Sequence, residues 1–402
     1  MAETKTPDFG RMRRQLGEIQ RAIAEAGLDG WLLYDLHARN AVAASMVGVG
    51  DLSRRTFVLI PAHGEPHALT HGIEEAPWAA WPWGRTSYVG WRELDEALRA
   101  LLDGRARVAM EYSERDAVPA VDLVPAGVIE LVRSAGAQVV SSGGLISSFY
   151  SSWSADDLAS HRRASVALAQ AAHTAFTRLA RAIENGEPAT EGDVTQWVVA
   201  LLAEHGAGGA PDCIVATGVN AANPHYGPID GGATFRKGDV VLLDLWSKEA
   251  ADDVYADQTW MAYLGAEVPD RTAKLFSIIR DARDGAVAFL EDSWKAGRPV
   301  TGGEVDDVAR GIITDQGYGA FFIHRTGHSI DQATHGMGPN IDNLETHEIR
   351  PLTPGVGFSI EPGIYIPGEI GVRTEINVYM SESGPEVTTP DPQREMLTLI
   401  GR

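Results

Sequence analysis

Five residues spread along the C-terminal half of the chain, Asp244, Asp257, His328, Glu361 and Glu375, are those whose types and spacing could do chemistry. Each lies in a short segment that reads as a strand or a tight turn, not as a solvated face. Four like charges brought into one core would repel one another and lose their hydration, so such a cluster needs cations. Two divalent ions would cancel all four negative charges. The pattern therefore points to a dinuclear metal site, and to hydrolysis as the chemistry such a site serves. Oxygen-rich ligation with one imidazole suits Mn, Co, Fe or Zn better than soft metals.

The elements that must position these residues can be read from their neighbours. Asp244 closes the run 240–243, which is too apolar for an edge strand; a carboxylate there is either a cap for the next turn or a ligand. Asp257 follows in a second strand-like run, 254–260. Two strands joined by the polar turn 248–253 would set the two carboxylates side by side on an antiparallel pair. Asp252 and Asp253 in that turn read as solvated turn residues. The segment 324–335 holds His324, His328 and His335; Arg325 after the first and Gly327 before the second argue against a helical zinc motif. A loop and strand giving one ligand and two nearby proton donors fits better, although any one of these histidines could equally be structural. Glu361 ends the apolar strand 357–361 ahead of Pro362 and Gly363. Arg373 and Glu375 are two apart in the run 372–380, so one strand would aim both at one face, where an Arg–Glu pair can also be plain structural pairing.

A chain of 402 residues is too long for one core, and two domains are expected, 1–152 and 153–402. In the first, Met12, Leu16, Ile19 and Ile23 recur at helical spacing and Gly27 and Gly30 close the helix. Strands are expected at 31–34, 56–60, 107–110 and 138–140, and helices at 94–102 and 121–132, which makes an α/β domain. His63, His67 and His71 have no carboxylate at matching spacing and read as surface or loop histidines. In the second domain Ser154 caps a long alanine-rich helix to about 183, and Thr190 with Asp193 starts another. Further helices are expected at 271–290 and 304–316, between strand-like runs.

The formal net charge of −21 is opposed to what a phosphate backbone selects, so no nucleic-acid partner is expected. Cys213 is the one cysteine, which precludes an intrachain disulfide and fits a reducing compartment. No apolar run reaches the length of a membrane span, and the stretch around Lys5, Arg11, Arg13 and Arg14 lacks a secretory apolar segment. A cytoplasmic protein without a membrane partner is expected.

The order Asp…Asp…His…Glu…Glu resembles the metallopeptidase family of methionine aminopeptidase, aminopeptidase P and prolidase, and most nearly its Xaa-Pro branch. The resemblance rests on the runs 216–220 and 223–226 (Asn-Pro-His-Tyr), the His324–His328 segment, the run 360–365 and the run 372–375. It covers nearly the whole chain. It implies an α+β fold: a pita-bread catalytic domain preceded by a creatinase/prolidase-like α/β domain without catalytic residues. By position, it implies that Asp244, Asp257, His328, Glu361 and Glu375 bind two divalent ions, with Asp244 and Glu375 bridging. His225 and His335 match residues that contact the substrate or stabilise the tetrahedral intermediate; His324 and Arg373 match substrate-orienting positions. A metal-bridging hydroxide would attack the bond before proline, with Glu361 as general base, and a homodimer is implied. The substrate would be an Xaa-Pro peptide or, as in creatinase- or ectoine-hydrolase-like relatives, a small non-peptide amide. Three features depart from the family. The interval between the two Asp residues is longer, with Trp246 where a small residue is common; Ser329, Asp331 and Gln332 follow His328 in place of small or apolar residues; and the N-terminal domain lacks a motif that would separate a dipeptidase from an aminopeptidase.

Overall fold

The computed structural model describes residues 7–50 and 52–401, in two compact units divided between Tyr150 and Ser151. In the first unit, α1 (Gly10–Glu25), β1 (Gly30–Asp35), α2 (Ala41–Val47), β2 (Thr56–Pro61), β3 (His67–His71), β4 (Gly84–Tyr88), α3 (Trp91–Leu102), β5 (Arg107–Met110), α4 (Ala126–Ser134), β6 (Gln138–Ser141) and α5 (Gly143–Phe149) follow one another. The six strands form one mixed sheet in the order β4-β3-β2-β1-β5-β6. Two expectations need correction here. Gly30 opens β1 instead of closing α1: a Cβ there would meet the Leu59 side chain at 2.7 Å and the Ile60 carbonyl at 3.0 Å. The helix expected over 121–132 is a short 3₁₀ turn, Pro119–Val121, and then α4, because Pro125 lacks an N–H and holds the residue before it extended. His67 contacts Thr86 and His71 caps a turn at Ile73.

The second unit opens with α6 (Ala155–Glu184) and α7 (Glu191–Glu204), each started by a reciprocal capping box, Ser154 with Asp157 and Thr190 with Asp193. Then come β7 (Asp212–Thr217), β8 (Val240–Ser247), β9 (Ala256–Tyr263), α8 (Asp270–Lys295), α9 (Gly302–Asp315), β10 (Ser329–Ile330), β11 (Gly357–Ile360), β12 (Gly363–Ile366), β13 (Ile370–Arg373), β14 (Ile376–Ser381), β15 (Gly384–Val387) and β16 (Leu397–Thr398). They build two four-stranded sheets, β16-β9-β8-β7 and β10-β11-β14-β15, and the pair β12-β13.

Alternation along β7 to β9 gives the first of these sheets two different faces. Val215, Val241, Leu243, Leu245, Trp260 and Ala262 pack on the α6 and α7 side, in one apolar core. Ala216, Leu242 and Met261 point the other way, into the core built with α8, α9 and the second sheet. Asp244, Trp246, Asp257 and Thr259 share that second face by parity, which brings them to the middle of the unit.

Candidate metal centre

The structure brings Asp244, Asp257, His328, Glu361 and Glu375 to one cavity of about 350 Å³, with His225, His324, His335 and Arg373 on its walls. The strand pair does not set the two aspartates directly opposite, as the sequence led one to expect. Asp244 pairs with Thr259 and Asp257 with Trp246, so the carboxylates are diagonal neighbours on one face. Arg373 and Glu375 also do not share a strand. β13 ends at Arg373 and pairs with β12, while β14 starts at Ile376 and pairs with β11. Between them the chain changes sheets, held by Arg283 donating to the Thr374 hydroxyl at 2.9 Å and by the Glu375 N–H reaching the Thr259 carbonyl.

His328 turns one ring nitrogen toward the carboxylates. Its Nδ1 lies 3.2 Å from the Ser329 carbonyl, which can only accept, so the proton sits on Nδ1 and Nε2 faces the carboxylates. Nε2 is 3.3 Å from Glu361 Oε1 and 3.6 Å from Asp257 Oδ2. Ligand atoms of Asp257, His328 and Glu375 all lie within 4.8 Å of one another, the one cluster of this kind among the described residues. Asp244 is engaged by Arg373 Nη2, and the Thr259 hydroxyl lies 2.9 Å from Glu375 Oε2 and 3.3 Å from Asp244 Oδ1. Two oxygens are left over: Asp257 Oδ1 and Glu375 Oε1 are buried with no hydrogen-bond partner. A buried, unpartnered carboxylate oxygen is costly unless a cation takes it, so the donor set fits a divalent ion with oxygen and imidazole ligands.

The electrostatics agree with that fit. Burial raises Asp257 to about 7, helped by the neighbouring Asp244, despite its contact with His328. Burial and three neighbouring carboxylates drive Glu375 well up, and burial also raises Asp244 against the pull of Arg373. Glu361 is the exception: burial would raise it, yet His328, His324, Arg373 and Arg325 together hold it below its usual value. Glu361 is thus the carboxylate best kept ionised by the chain's own charges. His324 donates from Nδ1 to the Arg325 carbonyl and accepts at Nε2 from the Tyr365 hydroxyl, 2.8 Å away, and burial lowers its pKa. His335 packs edge-on against His328, ring centroids 4.4 Å apart. Its inner edge is desolvated there and its pKa falls to about 4, although the outer edge is open to solvent.

Ser329, Asp331 and Gln332 do not line the cavity, so they do not make the leaving-group side polar. Asp331 accepts from the backbone of Ala333 and Met337 and shapes the turn that carries His335, while Gln332 points to solvent. Thr259, Asn377 and Ser359 escaped sequence reasoning. Thr259 could have been found as the same-face neighbour of Asp257. Asn377, which accepts from the Asp257 N–H, and Ser359, which donates to Glu361, gave no such signal. A larger cavity of about 590 Å³, beside His173, Arg178 and Trp197 on α6 and α7, contains no such ligand cluster.

Residues 161–382 match the model of metallopeptidase family M24. The Xaa-Pro dipeptidase of Lactobacillus delbrueckii subsp. lactis is 42% identical over 173 residues, 43% of this chain and 43% of that protein, so the match spans less than half of the relative. The probable dipeptidase PepE of Mycobacterium tuberculosis is 27% identical over 92% of both chains. Among solved structures, dipeptidase PepE from Mycobacterium ulcerans superposes with a TM-score of 0.73 at 25% identity over 98% of this chain and 99% of that one. Prolidase from Thermococcus sibiricus does so at 0.63, with 23% identity over 98% and 99% of the two chains. The fold is that of the pita-bread enzymes with their N-terminal α/β domain, and the family implies divalent metal. With its carboxylate–imidazole cluster inside the matched region, the chain belongs to metallopeptidase family M24.

Proposed function

We propose that the chain is an Xaa-Pro peptidase that hydrolyses the bond before proline with two divalent ions. Asp244, Asp257, His328, Glu361 and Glu375 would hold the ions. The observation that carries this reading is the pair of buried, unpartnered oxygens, Asp257 Oδ1 and Glu375 Oε1, beside a His328 whose tautomer leaves Nε2 free to ligate. When bound, the metal supplies a Lewis acid and lowers the pKa of water toward neutrality.

The chain's own groups do the remaining work. Glu361, kept ionised by the cations around it, accepts the proton of the attacking water as general base. His335 and His225 lie on the cavity wall, where a ring N–H can stabilise the oxyanion and steer the departing imino nitrogen. Arg373 holds Asp244 and reaches the Tyr365 hydroxyl and the Pro224 carbonyl, which ties the ligand strand to the loop bearing His225. Arg325 also lines the cavity, and among the described residues its guanidinium has no hydrogen-bond or ion-pair partner. A free cation there suits the C-terminal carboxylate of a dipeptide, so the dipeptidase form is favoured over the aminopeptidase form. Residues 1–152 would form the non-catalytic domain and 153–402 the catalytic one. A cytoplasmic homodimer acting without nucleic-acid or membrane partners completes the reading.

The test is a panel of Xaa-Pro dipeptides, longer Xaa-Pro peptides and small amides, assayed after reconstitution with Mn, Co or Zn. Cleavage of dipeptides alone is the expected outcome. Cleavage of longer peptides as well would make the enzyme an aminopeptidase. Cleavage of small amides alone would overturn the peptidase reading.

A further inference from the structure

Neither ring nitrogen of His335 has a hydrogen-bond partner among the described residues; the ring rests edge-on against His328, with its other side open to solvent. Where that ring sits in the cavity therefore depends on the backbone that carries it. Residues 331–336 form no helix or strand. β10 holds the segment at its entry, and Arg350 holds it at its exit, donating to the Met337 and Gly338 carbonyls at 2.6 and 2.8 Å. Within it, Asp331 Oδ1 accepts from the Ala333 N–H at 2.8 Å and Oδ2 from the Met337 N–H at 3.1 Å, and the Gly336 N–H reaches the Ser329 carbonyl at 2.7 Å. These bonds are internal. They give the turn its shape and leave its distance from the metal-ligand strands open.

That distance is set from the β8–β9 connection, whose two ends, Lys248 and Tyr255, grip successive carbonyls of the turn. Lys248 Nζ donates to the Gln332 carbonyl at 2.7 Å, and the Tyr255 N–H to the Asp331 carbonyl at 3.0 Å. The Lys248 ammonium also lies over the Tyr255 ring, 4.4 Å from its centroid, so the two grips brace each other. Among the described residues Lys248 is the one side chain from outside 331–336 that hydrogen-bonds to its main chain. Lys248 is buried, and a buried ammonium is ordinarily paired with a carboxylate. Here it makes no ion pair among the described residues, and Asp331, whose charge reaches it, spends both oxygens on the turn. The charge-assisted bond goes to main chain instead. Lys248 follows Asp244 by four residues and Gln332 precedes His335 by three, so this one bond links a ligand strand to the histidine's turn.

We propose that Lys248 is a positioning residue for His335: its bond to the Gln332 carbonyl holds the turn at a fixed distance from the ligand strands and so sets the place of the His335 ring in the cavity. This rests on the Xaa-Pro peptidase reading, in which His335 acts on the transition state. Misplacing such a group by about 1 Å costs up to roughly a hundredfold in rate. Lys248→Met keeps the stem and removes the ammonium, so kcat is expected to fall about ten- to a hundredfold. KM is expected to stay, because an interaction made only in the transition state lowers kcat and kcat/KM equally. Bound metal is expected to stay as well, since Lys248 makes no bond to a metal-ligating residue among the described residues.

The experiment measures kcat, KM and metal content for the metal-loaded full chain as wild type, Lys248→Met, His335→Ala and the double variant, with the best-cleaved Xaa-Pro dipeptide of the panel above. Two changes that act through one group are not additive. The expected result is a Lys248→Met enzyme with full metal, lowered kcat and wild-type KM, and a double variant within about twofold of His335→Ala alone. A double variant slower than that overturns the inference, because a general loosening of the fold would slow the His335→Ala background too. A Lys248→Met enzyme with wild-type kcat or with lost metal also overturns it, as does a His335→Ala enzyme with wild-type kcat, which leaves nothing to position. In each of these cases the peptidase reading stands. Should Lys248→Met fail to fold, Lys248→Gln takes its place in the same cycle and the same outcomes decide. A wild-type enzyme that cleaves no Xaa-Pro peptide would overturn the functional reading, and this inference with it, before any variant is compared.

Discussion

Glu191 opens α7 far from any ligand in sequence, yet it organises the loop that brings Pro224 and His225 to the cavity. Its carboxylate is wholly buried and accepts from four groups: the Thr217 N–H at 2.8 Å, the Asn220 amide at 3.0 and 3.1 Å, the Tyr226 hydroxyl at 2.7 Å and the Ala233 N–H at 2.7 Å. These donors span the whole connection from β7 to β8, and the helix N-terminus adds a favourable field. In Glu191→Gln one oxygen becomes an NH₂. Whichever way the amide turns, it faces either the Thr217 or the Ala233 N–H, donor against donor. One buried N–H left without an acceptor costs about 1–3 kcal/mol. The Gln variant should therefore lose about 2 kcal/mol. Glu191→Ala strands all four donors and should lose about 4 kcal/mol, the cost per donor being reduced because water can enter the space vacated. For a unit of this size each kcal/mol lowers Tm by roughly 2–4 °C, so the melting point should fall by about 4–8 °C and 8–16 °C respectively. The peptidase assay should show KM rising with it, because Pro224 and His225 lose their anchorage. Asp193→Asn, at an exposed capping box on the same helix, is the control and should cost about 1 kcal/mol or less. Calorimetry in which Glu191→Ala melts within 2 °C of wild type would refute the reasoning.

Two further outcomes are expected. Glu375→Gln and His328→Ala should each lose bound metal and activity together; saturating divalent metal at a hundredfold its Kd should stabilise wild type by about 2.7 kcal/mol against chelator, and a variant that keeps this stabilisation would contradict the ligand assignment. His161 is fully buried, with Nδ1 donating to the Tyr255 carbonyl at 2.6 Å and Nε2 beside the Thr388 hydroxyl at 2.7 Å, and burial lowers its pKa to about 4. A pKa depressed in the folded state contributes stability that is complete above pH 6.5 and is lost as the pH falls from there through 4. At about 1.4 kcal/mol per pH unit this amounts to roughly 3 kcal/mol. The stability gap between wild type and His161→Gln, measured by urea unfolding at pH 7.5 and pH 4.5, should shrink by up to that amount; an unchanged gap would refute it.

Much of the site was legible because its residues sit where local sequence is least ambiguous. Glu361 precedes Pro-Gly and so announces the end of a strand without help from the rest of the chain, and the four apolar residues before Asp244 mark a buried strand, although that strand runs on to Ser247 and does not close at Asp244. The capping boxes at Ser154 and Thr190 were equally plain, since three adjacent positions decide them. What failed was whatever depends on a partner strand. The break at Thr374–Glu375 follows from β13 pairing with β12 and β14 with β11, a long-range choice that period-2 spacing in 372–380 does not reveal. The diagonal placement of the two aspartates is likewise a matter of register, set by where β8 and β9 turn. The direction of Ser329 and Asp331 was open for a related reason: a polar residue beside His328 can face the cavity or the turn behind it, and only the fold says which. Glu191 left no signal at all, because an acid in the first turn of a helix is ordinary chemistry whether or not a distant loop leans on it.

One device sorts the residues of this sheet between an apolar core and the cavity. Along β8, Val241, Leu243 and Leu245 go to the α6–α7 core while Leu242, Asp244 and Trp246 go to the other side, and β9 matches them with Asp257 and Thr259. A slip of one residue in either strand would drive carboxylates among leucines and open the apolar set to the cavity, exchanging the two faces outright. The strands can therefore tolerate no insertion, whereas the connection 248–255 can tolerate several residues at little entropic cost. Across that connection Asp257 keeps its carboxylate close to His328 and Glu375, while Asp244 shares the Thr259 hydroxyl with Glu375. The carboxylates of this sheet face are thus locked in place by register, while the connection beside them is open to change in length.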